Sequence, residues 1–337
     1  METYQFNGMS REEETTMNIL ILSAGTRCQL VKYFMQRDNG FHKVVTADCS
    51  KYAPALYFSD VHYLVPMMTE PDYFPALHKI CEDEDIQVIL PLQEDELLLI
   101  AENRDQFEHK GILVAVSDFS IVKMCRDKYA LYEELKQQVR CVETYDVCTQ
   151  MSQIYQLQLP VLAKERYGAG SVGLLKLNNW QLLDCFAQNE EEPLIAQPYM
   201  EAEEFGVDVY VDFLSGELVS VFVKKKLRMR AGETEKSISV KDPQILALVH
   251  KVTDAIPLRG PIDIDIFLYQ GEYYVLEVNP RFGGGYPHAY ECGVNFIKYL
   301  SQNTKGKTNQ PECGAYMENK VMLKYMDGMI QDEKDLF

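Results

Sequence analysis

The chain has 337 residues, enough for roughly two domains of ordinary size. With 47% apolar and 25% charged residues it can bury several cores, which excludes disorder as its main description. Its 33 Lys and Arg against 51 Asp and Glu give a formal charge of −18, which argues against nucleic acid as a partner because phosphate-neutralising proteins show basic stripes.

Residues 1–16 are polar, contain Glu12, Glu13 and Glu14, and read as a flexible extension. Asn18 to Ser23 is a continuous apolar run, suited to a strand covered on both faces. It ends in Ser23-Ala24-Gly25-Thr26-Arg27, a tight turn with Arg27 available to an anion, and leads into a helical pattern through Leu30, Val31 and Phe34. Further strands are predicted at Lys43 to Ala47, Val88 to Leu92 and Ile112 to Val116, with helices over Tyr73 to Cys81 and Asp95 to Asn103 between them. This alternation predicts a doubly wound α/β domain over 17–120. Glu94, Asp95 and Glu96 open a helix, where the positive N-terminal end favours acids, and can face a pocket.

The remainder reads as α+β. Ile121 to Gln138 is predicted as helical, with Cys125-Arg126-Asp127-Lys128-Tyr129 opening a helix, followed by short strands at Val161 to Lys164, Leu174 to Leu177 and Leu194 to Tyr199. Glu204 to Val223 alternates like an antiparallel meander, and Gln270-Gly271 lies between two apolar runs as a hairpin turn would. Two subdomains are expected, 121–200 and 201–337. Nine cysteines without a CxxC spacing, and no early apolar run long enough for a bilayer or a signal core, predict a cytoplasmic protein with no membrane partner.

Several motifs carry chemistry. In Glu277-Val278-Asn279-Pro280-Arg281, Glu277 and Asn279 leave one face of a strand, as do Asp263 and Asp265 on the strand expected to pair with it. Such an oxygen-only set suits Mg²⁺, which takes one or two carboxylates plus substrate phosphates. Arg281 would then stand where a guanidinium stabilises a transferring phosphoryl group. Lys164, ending a strand before the loop Gly168-Ala169-Gly170-Ser171-Val172-Gly173, describes a flap whose backbone N–H groups approach phosphates. Gln197-Pro198-Tyr199-Met200 is a strand end able to read an adenine edge, and Glu204, seven residues after Gln197, can accept ribose hydroxyls. Lys224 to Arg230 is a cationic run that reads as an exposed strand in isolation, and as a phosphate neutraliser if it lies beside Glu277. Lys128, alone, reads as a surface lysine. The Ser23–Arg27 turn lacks the glycine spacing of a dinucleotide site.

Taken in order, these motifs resemble the ATP-grasp superfamily, in the flavour of the synthetase domain of the carbamoyl-phosphate synthetase large subunit and its stand-alone relatives, over about residues 17–300. The resemblance implies an N-terminal pre-ATP-grasp domain followed by a two-subdomain ATP-grasp fold. It implies that Lys128 and Lys164 bind ATP phosphates, that 168–173 is the flap (Gly168, Gly170, Ser171, Gly173), and that Tyr199 and Met200 form the adenine hinge. Glu204 is implied at the ribose, Asp265, Glu277 and Asn279 at Mg²⁺ (or Mn²⁺ in its place), and Arg281 at phosphoryl transfer. Gln197 stands where many relatives have Glu, and Lys224 and Lys226 where similar proteins often have Arg. The expected activity is an ATP-dependent carboxylate–amine ligase working through an acyl phosphate on small-molecule substrates. Arg230 and Arg281 are the candidates for the acceptor carboxylate, and Glu233 and His288 for the amine. The alternatives are bicarbonate as the acid, transfer that stops at an acyl phosphate, and an ATP-binding scaffold without activity; a homodimer is left open.

Overall fold

The structure, a computed structural model, describes residues 17–168, 173–188, 193–230 and 232–336. The segment 1–16 and the flap residues Ala169 to Val172, with Gly170 and Ser171 among the predicted contacts, lie outside the described residues.

Three sheets organise the chain. The first is parallel, with strands β1 (Asn18–Leu22), β2 (Lys43–Asp48), β3 (Val61–Leu64), β4 (Val88–Pro91) and β5 (Leu113–Val114) in the order β3-β2-β1-β4-β5. Every residue of β1 is buried because helices cover both faces: Ile19 and Ile21 enter one core, Leu20 and Leu22 another. Strand order reverses between β1 and β4, and a crevice opens outside the carboxyl ends of the strands at such a switch point. Ser23–Arg27 and Gln93–Glu96 stand there.

The second sheet is antiparallel, with β6 (Tyr145–Asp146), β7 (Val161–Glu165), β8 (Leu175–Leu177) and β9 (Leu194–Pro198) in the order β6-β9-β7-β8. The third is the largest: β10 (Glu203–Val211), β11 (Leu218–Arg230), β12 (Glu233–Val240), β13 (Gly260–Tyr269), β14 (Glu272–Asn279) and β15 (Val321–Leu323), ordered β14-β13-β10-β11-β12-β15. Val207, Val209, Val221, Val223, Ile262 and Ile264 give it an apolar face, packed on the helix Pro243–Ala255. Each such side chain stabilises by roughly 1.5–3 kcal/mol on full burial.

The helical stretch from Ile121 is two helices, Phe119–Arg126 and Lys128–Leu135, the second opening within Cys125–Tyr129 as expected. Asp127 breaks the run by adopting an extended backbone and accepting the N–H groups of Tyr129 and Ala130, an N-cap that a periodicity argument does not detect. Its carboxylate also takes the Arg166 guanidinium, with Nε at 2.7 Å, which ties the base of the flap to the helix start.

The parallel sheet and the last helices share one core. Ile19, Ile21 and Phe34 pack in the same cluster as Phe282, Tyr286 and Phe296, and Tyr33 stacks on Tyr290 with ring centroids 3.8 Å apart. The N-terminal domain is therefore joined to the third sheet by an apolar seam.

Behind the β1–α turn lies a buried carboxyl. Glu96 is 3% exposed, accepts the Tyr73 hydroxyl at 2.5 Å, and its Oε2 has no partner among the described residues. Burial pushes its pKa up to about 7, Asp48 adds to the rise, and hydrogen bonds from Tyr73 and Ser23 oppose it. A folded pKa above the ordinary carboxylate value means that this group's contribution is fully present below about pH 4.5 and is lost as pH rises through about 7. Glu96→Gln is thus expected to be more stable than the parent above pH 7, by up to about 3 kcal/mol, with the two converging near pH 4.5. Urea denaturation at the two pH values checks this, and an equal difference at both would contradict it.

Candidate active site

The second face of the large sheet carries charge where the first carries valine and isoleucine. Strand pairing sets Asp265 opposite Glu277, Asp263 opposite Asn279, Gly206 between Asp265 and Lys224, and Asp208 opposite Asp263. Residues two apart on a strand share a face, so these columns form one charged surface. The cationic run splits by the same rule: Lys224 and Lys226 are 1% and 5% exposed and turn inward, while Arg228 and Arg230 are 64% and 57% exposed.

This surface floors a cavity of about 440 Å³ between the second sheet, the third sheet and the N-terminal domain. Glu277, Asn279, Asp263 and Asp265 line it. A bulge in β14 sets Ile266 opposite Val275, so that Leu276 and Glu277 both reach the cavity; no residue pattern announced this. Lys226 bridges Glu204 and Asp265, at 2.7 Å from each. Burial raises the pKa of Asp265 against the pull of Lys226. This bridging lysine was not among the predicted ligands, although its place in an alternating strand was a usable signal.

Lys128 is nearly buried, 3.5 Å from Glu277, and its ammonium also reaches the Gly168 carbonyl. Lys164, on β7, lines the same cavity. Burial lowers its pKa, Glu277 opposes, and Lys128 adds to the lowering. It makes no salt bridge within 4.0 Å among the described residues, which leaves its ammonium for a guest. Gly168 lines the cavity and Gly173 (φ +70°) lies at the far end of the flap; a Cβ on either would press on the Glu165 carboxylate.

Gln197 is buried, lines the cavity and donates its amide to Thr144 at 2.8 Å. Tyr199 and Met200 stand just beyond the lining residues. The Tyr199 N–H donates to the Pro160 carbonyl at 3.3 Å, and its ring lies 3.4 Å from the Lys176 ammonium. The expected free donor at Tyr199 is therefore already engaged.

Two predicted positions lie elsewhere. Arg230 points outward to Glu235 at 3.6 Å, because even-numbered alternation is interrupted by bulges past Lys226. His288 is buried against Ser237 and the Lys320 carbonyl, and burial with Lys224 nearby pushes its pKa down to about 4. Arg281, by contrast, lines the cavity and pairs with Glu94 of the N-terminal domain at 2.7 Å.

The run Gly283-Gly284-Gly285 is explained by close approach. A Cβ would stand 2.6 Å from the Asp263 carboxylate at Gly283, 2.9 Å from Arg27 at Gly284, and 2.7 Å from the Lys224 stem at Gly285. Lys224 is itself ion-paired with buried Asp208 and cannot retreat. Gly285→Ala is expected to cost about 1–3 kcal/mol of stability, as overpacking does, measured by chemical denaturation; an unchanged midpoint would contradict the contact.

The donor set fits a polyphosphate with a divalent metal. Two lysines converge from β7 and a helix start, and Glu277, Asn279 and Asp265 offer hard oxygens at one corner. No group of three His, Cys, Asp or Glu able to hold a metal unaided stands among the described residues. An ion here would complete its shell with phosphate and water, as Mg²⁺ commonly does.

Comparison with known proteins agrees with this geometry. Residues 19–115 match the PylC-like N-terminal domain and residues 125–285 the ATP-grasp domain. The carbamoyl phosphate synthase large chain of Clostridium beijerinckii is 26% identical over 162 residues, covering 43% of this chain and 15% of that protein. The arginine-specific large chain of Halalkalibacterium halodurans is 23% identical over 225 residues, 60% of this chain and 21% of its own length. The chain thus spans about a fifth or less of these relatives. Among solved structures, N5-carboxyaminoimidazole synthetase from Staphylococcus aureus superposes with a TM-score of 0.70 at 19% identity, over 92% of this chain and 81% of that one. An L-amino acid ligase from Bacillus licheniformis gives 0.69 at 17%, over 86% and 74%. Residues 125–285 are thus matched by an ATP-grasp domain, and residues 19–115 ahead of them by a PylC-like N-terminal domain.

Proposed function

We propose that this chain is a Mg²⁺- and ATP-dependent ligase that joins a small carboxylate to an amine, with Mn²⁺ able to replace Mg²⁺. The observation that carries the proposal is the gathering of Lys128, Lys164, Glu277, Asn279, Asp265 and Arg281 around one cavity floored by a charged sheet face. The fold relatives support it: one solved neighbour, a biotin carboxylase domain from Hydrogenobacter thermophilus with a TM-score of 0.73, is described in complex with MgADP.

In this reading Lys128 and Lys164 neutralise the phosphates, and Gln197 with the end of β9 lies at the base. Glu204 accepts the ribose hydroxyls, exchanging its contact with Lys226. Glu277, Asn279 and Asp265 would hold the metal, which supplies charge neutralisation at the transferring phosphoryl group. The acid attacks the terminal phosphorus, giving an acyl phosphate and ADP; the amine then attacks the acyl carbon and phosphate leaves. Arg281 faces the charge that develops in the first step. Protein groups mainly position and neutralise, as is usual for phosphoryl transfer. The flap residues Gly170 and Ser171 complete the proposed phosphate contacts. Segments 17–120, 121–200 and 201–337 are the proposed domain and subdomains. No helix among the described residues is long and apolar enough to cross a membrane, and both proposed substrates are small molecules.

The test is ADP release with Mg·ATP against pooled amino acids and other small carboxylates, with Glu277→Gln run alongside. Acid-dependent release is expected, falling about a hundredfold or more in the variant, some 3 kcal/mol of lost transition-state stabilisation, with an unchanged melting temperature. Near-normal turnover in Glu277→Gln would remove the metal assignment.

A further inference from the structure

Beyond Arg281 the cavity continues to the N-terminal domain, and its charges change character. Arg27, carried by the loop after β1, and Glu94, opening the helix after β4, enter from one side. Arg281 and Glu233 enter from the other. The pairs are unequal: Glu94 and Arg281 are in contact at 2.7 Å, whereas Arg27 Nη1 lies 3.8 Å from Glu233 Oε1 and makes no side-chain hydrogen bond among the described residues. Burial pushes the Arg27 pKa down, Arg281 adds to the lowering, and Glu233, Asp263 and Glu94 oppose it without restoring it. Gly284 keeps the space between Arg27 and Glu233 open, since a Cβ there would stand 2.9 Å from the one and 3.1 Å from the other.

The loop is built to hold Arg27 still. Ser23 and Gly25 take positive φ, a strained geometry for the serine, and the Gly25 N–H is pinned by the Asp48 carboxylate at 2.9 Å. The apolar seam between the domains fixes Arg27 and Glu94 against Arg281 and Glu233, so the four charges keep their spacing without a ligand.

With Asp263 4.0 Å from Arg281 and Lys324 paired with Glu233, three cations (Arg27, Arg281, Lys324) meet three carboxylates (Glu94, Glu233, Asp263), and the charges sum to zero. A simple anion, bicarbonate included, would meet the carboxylates there, and a simple amine would meet the cations. A guest with both charges satisfies both sets, and discrimination of this kind is a difference between matched and mismatched pairs. We infer that the end of the cavity formed by Arg27, Glu94 and Glu233 binds an α-amino acid in its zwitterionic form, the carboxylate on Arg27 and the ammonium between Glu94 and Glu233. This deepens the ligase reading by naming one of its two substrates, and it rests on that reading for the chemistry that follows binding. Glu233 is also held by Lys324, from the segment after β15, which places a further chain segment at the mouth of this subsite.

Binding is the test because it needs no turnover. The full chain, saturated with Mg²⁺ and a non-hydrolysable ATP analogue, is titrated calorimetrically with each common L-α-amino acid. Any binder is then compared with its carboxamide and its N-acetyl derivative. At least one amino acid is expected to bind, with both derivatives weaker by about tenfold or more. Arg27→Met should weaken the free acid by about tenfold and erase its advantage over the carboxamide, and Glu233→Gln should do the same for the N-acetyl comparison. Affinity for the nucleotide analogue, read in a separate titration of each unliganded variant, reports that it is folded; Arg27→Gln serves if the methionine variant is not. No binding by any amino acid, or discrimination that survives Arg27→Met, overturns the inference. Binding through Arg27 without ADP release would instead remove the ligase reading and leave the subsite. ADP release driven only by acids lacking an amine would do the reverse.

Discussion

The arrangement of this molecule depends on one constraint: a single antiparallel sheet must bury valine and isoleucine on one face and lysine and carboxylate on the other. The strand period of two makes this possible, and it also makes register unforgiving. A one-residue slip of β11 would carry Lys224 and Lys226 into the cluster formed by Val207, Val209 and Ile264, and would turn Val223 into the charged cavity. The buried Lys224–Asp208 pair is poor evidence for stability, because desolvating two ions offsets most of their attraction. Its stronger effect is to penalise the one-residue slip, in which each charge would be buried alone.

Much of this was legible. The apolar run of β1, the hairpin at Gln270-Gly271, and the pairing of Glu277 and Asn279 with Asp263 and Asp265 follow from period-two alternation and turn chemistry, which are local. The resemblance to the ATP-grasp superfamily came from short motifs in order rather than from any one of them. What escaped was non-local or below one turn in length. The helix start at Asp127 was read, but not the end of the preceding helix at Arg126, and the bulge that brings Leu276 and Glu277 to the same cavity has no residue signature. Arg230 continues the alternation of its neighbours on paper, yet the bulges after Lys226 turn it out to Glu235. His288 stood beside the glycine run in sequence, but a short helix rotates it into the core.

The N-terminal domain is more than an appendage to the charged sheet. Its first core includes Ile19, Ile21 and Phe34 together with Phe282 and Phe296, so the switch point of the parallel sheet faces the cavity as a consequence of packing. Polar recognition then needs little extra ordering. Arg27 and Glu94 are presented by turns fixed within their own domain, and the Glu94–Arg281 pair crosses the boundary where the apolar seam has already brought the two sides together. Pre-ordered charge of this kind costs less to engage than side chains that must be gathered on binding.

The same reasoning accounts for lysine rather than arginine at 224 and 226. Gly206 lies between them, and a Cβ there would stand 3.1 Å from the Cε of each. The space above Lys224 is closed by Gly285 as tightly, at 2.7 Å. A thin aliphatic stem passes through such a slot and delivers a point charge to Asp208, whereas the planar fork of a guanidinium is wider at the level where the glycines close. At 226 the compact ammonium sits 2.7 Å from both Glu204 and Asp265, one of the three donors of a lysine serving each. That leaves a donor over, and neither carboxylate is tied into a bidentate pair by this cation. The choice of cation and the small residues around it are therefore one structural decision: the glycines admit lysine, and lysine meets the carboxylates with single donors.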